Sequence, residues 1–166
     1  MLVRFIESEP AVADQIDRLQ HVLDTTECAL TRADPANSEL WSSVAEADAG
    51  QAVALKCSVP ASKIARCLEM CARRFPEATS VADMGMGLVR TSVGSGDLDL
   101  IGRVKLLRSE VESIGGSLII ERAPGFIRLE ADAWGDPGPE IKIMRSIKQK
   151  YDPNSLLSPG RFVSGI

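Results

Sequence analysis

Four cysteines, at positions 28, 57, 67 and 71, and one histidine, His21, are the side chains with the widest chemical range in this sequence. Cys67 and Cys71 stand four apart in a segment with helical periodicity, so both fall on one helix face. Two thiols placed that way could be a redox pair or half of a metal site. No second Cys or His pair completes a tetrahedral set, so no metal site is expected, and the two read as small apolar side chains in a helix–sheet seam. Cys57 alternates with Val53, Leu55 and Val59 and also reads as core. A disulfide framework is not expected from four cysteines in 166 residues. His21 has only Asp17 and Asp24 as close acidic neighbours and reads as a surface or half-buried side chain. No catalytic residue is assigned.

Other sites of chemistry are missing. No GxGxxG follows a strand, and neither a GxxxxGK[ST] loop nor a GxSxG elbow occurs. Gly85-Met86-Gly87 and Gly94-Ser95-Gly96 read as hairpin and loop glycines rather than phosphate cradles. The formal net charge of −4 argues against a dedicated nucleic-acid binder, and seven aromatic residues (two Trp, one Tyr, four Phe) are too few for a base-stacking platform. No apolar run approaches the ~20 residues that span a bilayer, and the N-terminal residues lack the apolar stretch of a signal peptide. A cytoplasmic location is expected, peripheral to a membrane only through a larger complex.

The charge is uneven. Residues 140–166 hold five basic side chains (Lys142, Arg145, Lys148, Lys150, Arg161) against Glu140 and Asp152, a net of +3, which leaves −7 for the first 139 residues. A basic amphipathic segment ends at Asp152-Pro153, turns around Asn154, and continues to Pro159-Gly160-Arg161. Proline fixes φ and glycine frees it, so a defined turn aims Arg161. A guanidinium held that way suits a carboxylate or a phosphate.

The elements that must position these residues follow from periodicity. Leu2 to Ile6 reads as a strand. Pro10 opens a helix with Val12, Ile16, Leu19 and Leu23 on one face. Residues 26–32 read as a second strand, and Asp34-Pro35 opens a short helix through Leu40, Trp41 and Val44. Ala52 to Val59 alternates as a strand. Pro60 starts a helix with the stripe Ile64, Leu68, Cys71 and Phe75, and Pro76 stops it. Thr79 to Met84 and Gly87 to Val93 follow as strands. Asp97 is the expected N-cap of a helix with the stripe Leu100, Val104, Leu107, Val111 and Ile114, which Gly115-Gly116 ends. Ser117 to Ala123 is the last strand. Residues 124–139 read as a Gly- and Pro-rich loop, and a final helix from Pro139 to Tyr151 is expected to bury Ile141, Met144, Ile147 and Tyr151.

The order over 52–123 is β-α-β-β-α-β, the ferredoxin-like arrangement of the α+β class. Residues 1–50 read as a β-α-β-α half, and two such units sharing one antiparallel sheet with helices on one face would satisfy both. The expected divisions are 1–50, 51–123, and 124–166 for the loop, basic helix and tail.

The closing segment resembles that of the FAD-linked oxidases of the vanillyl-alcohol oxidase type, which end in a basic helix followed by DP-x-x-x-L-N-P-G-[RK]. Asp152, Pro153, Leu157, Pro159, Gly160 and Arg161 match, and Ser158 stands where the family has Asn. The start with Arg4-Phe5, Leu40-Trp41, Val59-Pro60 and the Trp134 loop are similar to the C-terminal cap domain of this family, most of all in glycolate oxidase FAD-binding subunits. The related catalytic flavin subunits carry a His-rich metal-binding stretch in this domain, where this chain has only His21.

The resemblance implies a cap over a flavin held by an N-terminal FAD-binding domain absent from this sequence. It therefore implies a piece of a longer 2-hydroxyacid oxidoreductase or a separately encoded cap. FAD would belong to the full-length protein and not to this segment alone. The partners implied are the missing FAD domain, a catalytic flavin subunit and an iron–sulfur subunit. Arg161 and Asn154 are the residues expected to face cofactor or substrate, and Trp134 is expected at a substrate wall or interface. The alternatives are a surface ion pair for Arg161, a turn former for Asn154 and core for Trp134. As a whole, the chain could instead be a stand-alone ferredoxin-like ligand-binding or regulatory module, or a scaffolding subunit.

Overall fold

The computed structural model describes residues 8–26, 38–47, 50–94 and 99–166. The chain divides into two compact units, Met1–Val44 and Ala45–Ile166. In the first, helix α1 (Glu9–Leu23) has Pro10 in its first turn, as the sequence suggests. Helix α2 (Ser38–Ala45) carries Leu40, Trp41 and Val44. The expected strands at Leu2–Ile6 and residues 26–32 lie outside the described residues, apart from Thr26, whose hydroxyl donates to the Leu23 carbonyl at 2.8 Å in the turn after α1.

Among the described residues, the second unit holds one four-stranded antiparallel sheet. Its strands are β1 (Val53–Ser58), β2 (Thr79–Asp83), β3 (Leu88–Val93) and β4 (Ser117–Arg122), in the order β2-β3-β1-β4. Helix α3 (Ile64–Arg74) connects β1 to β2, and α4 (Leu100–Ser113) connects β3 to β4. Each connection skips one strand position, which is the ferredoxin-like, α+β arrangement expected from the pattern.

Alternation explains the core. Val53, Leu55 and Cys57 of β1 lie opposite Val93, Thr91 and Val89 of β3, and all six are buried. Ile64, Cys67, Met70 and Cys71 of α3 and Leu100, Val104, Leu107 and Val111 of α4 pack with them. Phe75, just past α3, is almost fully buried under the Arg103 guanidinium, 4.4 Å above its ring. Arg103 also donates to the Arg74 carbonyl at 2.6 Å and pairs with Glu77 at 2.9 Å, so α4 satisfies the C-terminal end of α3. On the opposite sheet face, Glu121 sits at a bulge in the β1–β4 register and pairs with Lys56 and Arg90 at 3.0 and 3.2 Å. Burial pushes the Glu121 carboxyl up, but its bonds to Lys56 and Arg90 prevail and hold it below the usual range.

Glycines close two turns. After α4, Gly115 (φ +80°) donates to Glu112 and Gly116 donates to Val111, the bond pair of a Schellman cap. In the β2–β3 turn, Gly87 has φ +70°, and a Cβ there would lie 2.3 Å from the Val59 carbonyl oxygen. The Gly87 carbonyl accepts from Val59 N–H at 2.8 Å, so the turn and the end of β1 need this close approach.

Three expectations are corrected. Asp99, not Asp97, stands at the N-cap position of α4, and Asp97 lies outside the described residues. Residues 124–139 are not all loop: Gly125–Glu130 form helix α5, whose Ile127 is buried in the core together with Ala131. Pro124 opens it, its carbonyl accepting from Ile127 and Arg128. The Arg108 side chain reaches from α4 to bond the Leu118, Ala131 and Asp132 carbonyls at 3.2, 2.7 and 2.6 Å. The Ile120 N–H donates to the Ala133 carbonyl at 2.8 Å. Third, the last helix α6 (Ile141–Tyr151) has no buried residue; Ile147 is 54% and Tyr151 74% exposed, while Ile141 and Met144 are half-buried. No helix among the described residues is long and apolar enough to cross a membrane.

Candidate functional site

The C-terminal segment that carries the only specific motif is built around Asp152. Pro153 has no N–H, so α6 cannot continue beyond it. The Asp152 side chain accepts the Leu156 N–H at 2.8 Å on Oδ1 and the Leu157 N–H at 2.9 Å on Oδ2. Lys148, one turn back on α6, places Nζ 2.6 Å from Oδ2 and donates to the Leu157 carbonyl at 2.7 Å. Together, the Lys148 ammonium and the Leu157 and Leu156 amides hold the Asp152 carboxyl down at about 2, overcoming the upward push of burial. Beyond the turn, Ser155, Ser158 and Gly160 all have positive φ (51°, 45° and 69°). Two non-glycine residues in that region within four positions mark a fixed turn rather than a loose tail.

Arg161 ends this turn, its N–H donating to the Ser158 carbonyl at 3.2 Å. Its side chain is exposed and makes no ion pair with any described residue. Asn154 is exposed, and Asp152, not Asn154, supplies the side chain that closes the turn. Trp134 is exposed, with its ring edge-on to Phe162 at 4.9 Å and 64°. The structure therefore brings the Trp134 loop to the residue that follows Arg161. Ile143, Ile147 and Tyr151, at four-residue spacing along α6, are exposed, as are Leu156, Leu157 and Phe162.

A second grouping lies in the core and was not anticipated as one. Cys57 on β1 and Cys67 and Cys71 on α3 are each 0% exposed, and their three Sγ atoms all lie within 4.8 Å of one another. The buried Thr91 hydroxyl shares a 2.9 Å hydrogen bond with Ser80. Hydrogen bonds to the neighbouring thiols and burial raise the Cys57 thiol. Bonds from Cys57, then Cys67, and from Thr91 favour the Cys71 thiolate and lower its thiol. Each cysteine is core, as the pattern suggested. Their meeting could have been foreseen by combining the i,i+4 pair on α3 with the helix-facing position of Cys57, because in this fold α3 packs directly on the sheet it leaves. Cys28 lies outside the described residues.

No family model, curated protein or solved structure matches the chain.

Proposed function

We propose that the chain is the C-terminal cap of an FAD-dependent 2-hydroxyacid oxidoreductase, as in the FAD-binding subunit of a glycolate oxidase. What carries the reading is the Asp152-Pro153 to Pro159-Gly160-Arg161 segment. It is a bonded turn that leaves the Arg161 guanidinium exposed at its end, with no ion-pair partner among the described residues. A charge presented that way suits the carboxylate of a 2-hydroxyacid or an anionic group of the flavin. The uncovered apolar side chains of α6 and the tail are of the kind that a neighbouring domain covers. The chain has no Gly-rich cradle for a pyrophosphate, so the flavin belongs to the domain that the cap closes over, and the flavin supplies the hydride chemistry. Within the cap, Arg161 would orient an anion and Trp134, braced by Phe162, would bound the site and exclude water. The iron–sulfur and catalytic flavin subunits of such a complex would be the partners, in the cytoplasm.

The test has two arms. The purified chain alone is expected to carry no stoichiometric FAD in its absorption spectrum, whereas the assembly with its flavin domain carries it and oxidises glycolate in a dye-coupled assay. Stoichiometric flavin on the isolated chain, or an assembly inert toward every short 2-hydroxyacid, would overturn the reading.

A further inference from the structure

We infer that Cys57, Cys67 and Cys71 form a three-sulfur site for one soft metal ion of the Cu(I) class. The inference stands apart from the flavin reading, which makes no use of these residues.

The three side chains come from two elements of different period. Cys57 occupies the helix-facing phase of β1, between Leu55 and Val59, and Cys67 and Cys71 occupy consecutive turns of α3 on the face turned to the sheet. All three Sγ atoms fall within 4.8 Å of one another. Three thiolates around one ion at about 2.3 Å stand roughly 4 Å apart, so rotamer adjustments of less than an ångström close the shell. A disulfide would need one pair to approach to about 2.05 Å and would leave the third sulfur unused.

The donor set selects the ion. Among the described residues no histidine, carboxylate or fourth thiol joins the group. The buried Thr91 hydroxyl is already engaged with Ser80 at 2.9 Å. Zinc in structural sites takes four N or S ligands, and calcium or magnesium takes oxygen. A set of sulfurs alone, fewer than four and wholly excluded from water, suits a soft closed-shell cation, for which Cu(I) is the common biological case. Binding is ligand exchange with no change in oxidation state. Cu(I) enters as Cu⁺, metal–sulfur bonds replace S–H bonds, and each thiol that becomes a thiolate releases one proton to solvent. Because the sulfurs are fully buried, the ion must enter when α3 opens from the sheet. Once bound, it ties the helix to β1.

The experiment uses the full chain carrying Cys28→Ser, so that only the three clustered thiols report. It is titrated anaerobically and in reductant with Cu(I) against a chromogenic Cu(I) chelator, and separately with Zn(II). The expected result is one Cu(I) per chain held in competition with the chelator, a higher unfolding temperature for the loaded protein, and no retention of Zn(II) against a chelator of similar strength. Copper-edge X-ray absorption on the loaded protein should show a sulfur-only coordination shell. Cys57→Ala and Cys67→Ala should each abolish stoichiometric binding. Circular dichroism establishes that those variants are folded, and the absorption spectrum of the unsubstituted cluster needs no variant. Failure to hold Cu(I) against the chelator, nitrogen or oxygen in the coordination shell, preference for Zn(II), or binding that survives both alanine variants in folded protein would overturn the inference.

Discussion

Lys148 and Asp152 together close the end of α6: the Lys148 Nζ lies 2.6 Å from the Asp152 Oδ2 and also bonds the Leu157 carbonyl whose own amide Asp152 accepts. One ion pair therefore fixes both the end of the helix and the direction in which the tail leaves it. Asp152 is held at about 2, below its ordinary value of 3.8. A depressed carboxyl stabilises the folded form above its unfolded pKa and loses that contribution as pH falls through the folded value. The tail should stay fixed down to about pH 4 and loosen between about pH 4 and pH 2. Trp134 emission, sensitive to the Phe162 ring against it, reads this directly. Asp152→Asn should remove the transition in that window, and an unchanged profile would show that the turn is held otherwise.

Arg161 should be dispensable for folding and needed for function. Arg161→Ala in the flavin-containing assembly is expected to leave the melting temperature of the cap unchanged and to lower dye-coupled glycolate oxidation by about tenfold or more. That is the loss for one charge-assisted hydrogen bond of roughly 1.5–3 kcal/mol. Arg161→Lys should recover part of the rate, since it keeps the charge but not the bidentate fork. Full activity in the alanine variant would remove Arg161 from the site.

Arg108 is the reverse case, a charged side chain whose role is structural. Its guanidinium bonds three backbone carbonyls on β4 and just after α5, and burial lowers its basicity against the pull of Asp132 and Glu112. Arg108→Ala should cost about 2–3 kcal/mol in denaturant unfolding, because it strands those carbonyls at the edge of the core. Increased hydrogen exchange should concentrate in residues 125–133. A loss below about 0.5 kcal/mol would mean that water replaces the guanidinium at no cost.

Gly87→Ala tests the close approach in the β2–β3 turn. A left-handed backbone costs an alanine roughly 1–2 kcal/mol, and the Cβ would also meet the Val59 carbonyl oxygen at 2.3 Å. A total loss of about 2 kcal/mol or more is expected in urea unfolding, with weakened exchange protection at the Val59 amide. Gly115→Ala has positive φ but nothing within 4 Å of the added carbon, so it should lose less.

The second unit was legible because its alternation and helical stripes are clean. Val53, Leu55 and Cys57 announced β1, and Leu100, Val104, Leu107 and Val111 announced α4. The helix α5 is hidden because Pro124 and Gly125, which read as loop signals, here begin a helix that buries Ile127, with Ala131 just beyond it, in the core. The α6 stripe is visible in the sequence as a period, but its exposure is not, since periodicity marks an apolar face and says nothing of what covers it. The motif turn is visible in the order of Asp152, Pro153, Gly160 and Arg161, but the sequence alone does not show that the Asp152 carboxylate is a side chain that closes it. The cysteine cluster needed topology: a strand residue and a helix pair meet only once the connection between them is known.

The bonds on β4 bear on how the sheet meets other chains. The Leu118 carbonyl is taken by Arg108 and the Ile120 N–H by the Ala133 carbonyl, so this outer strand has backbone groups already engaged outside the sheet. A strand from another molecule cannot add there without breaking them. The opposite edge, β2, is five residues long and ends at Asp83, whose carboxylate turns back to bond the Met86 amide. Edge-to-edge growth of this sheet into fibres is thus blocked on one side and limited to a short, polar strand on the other.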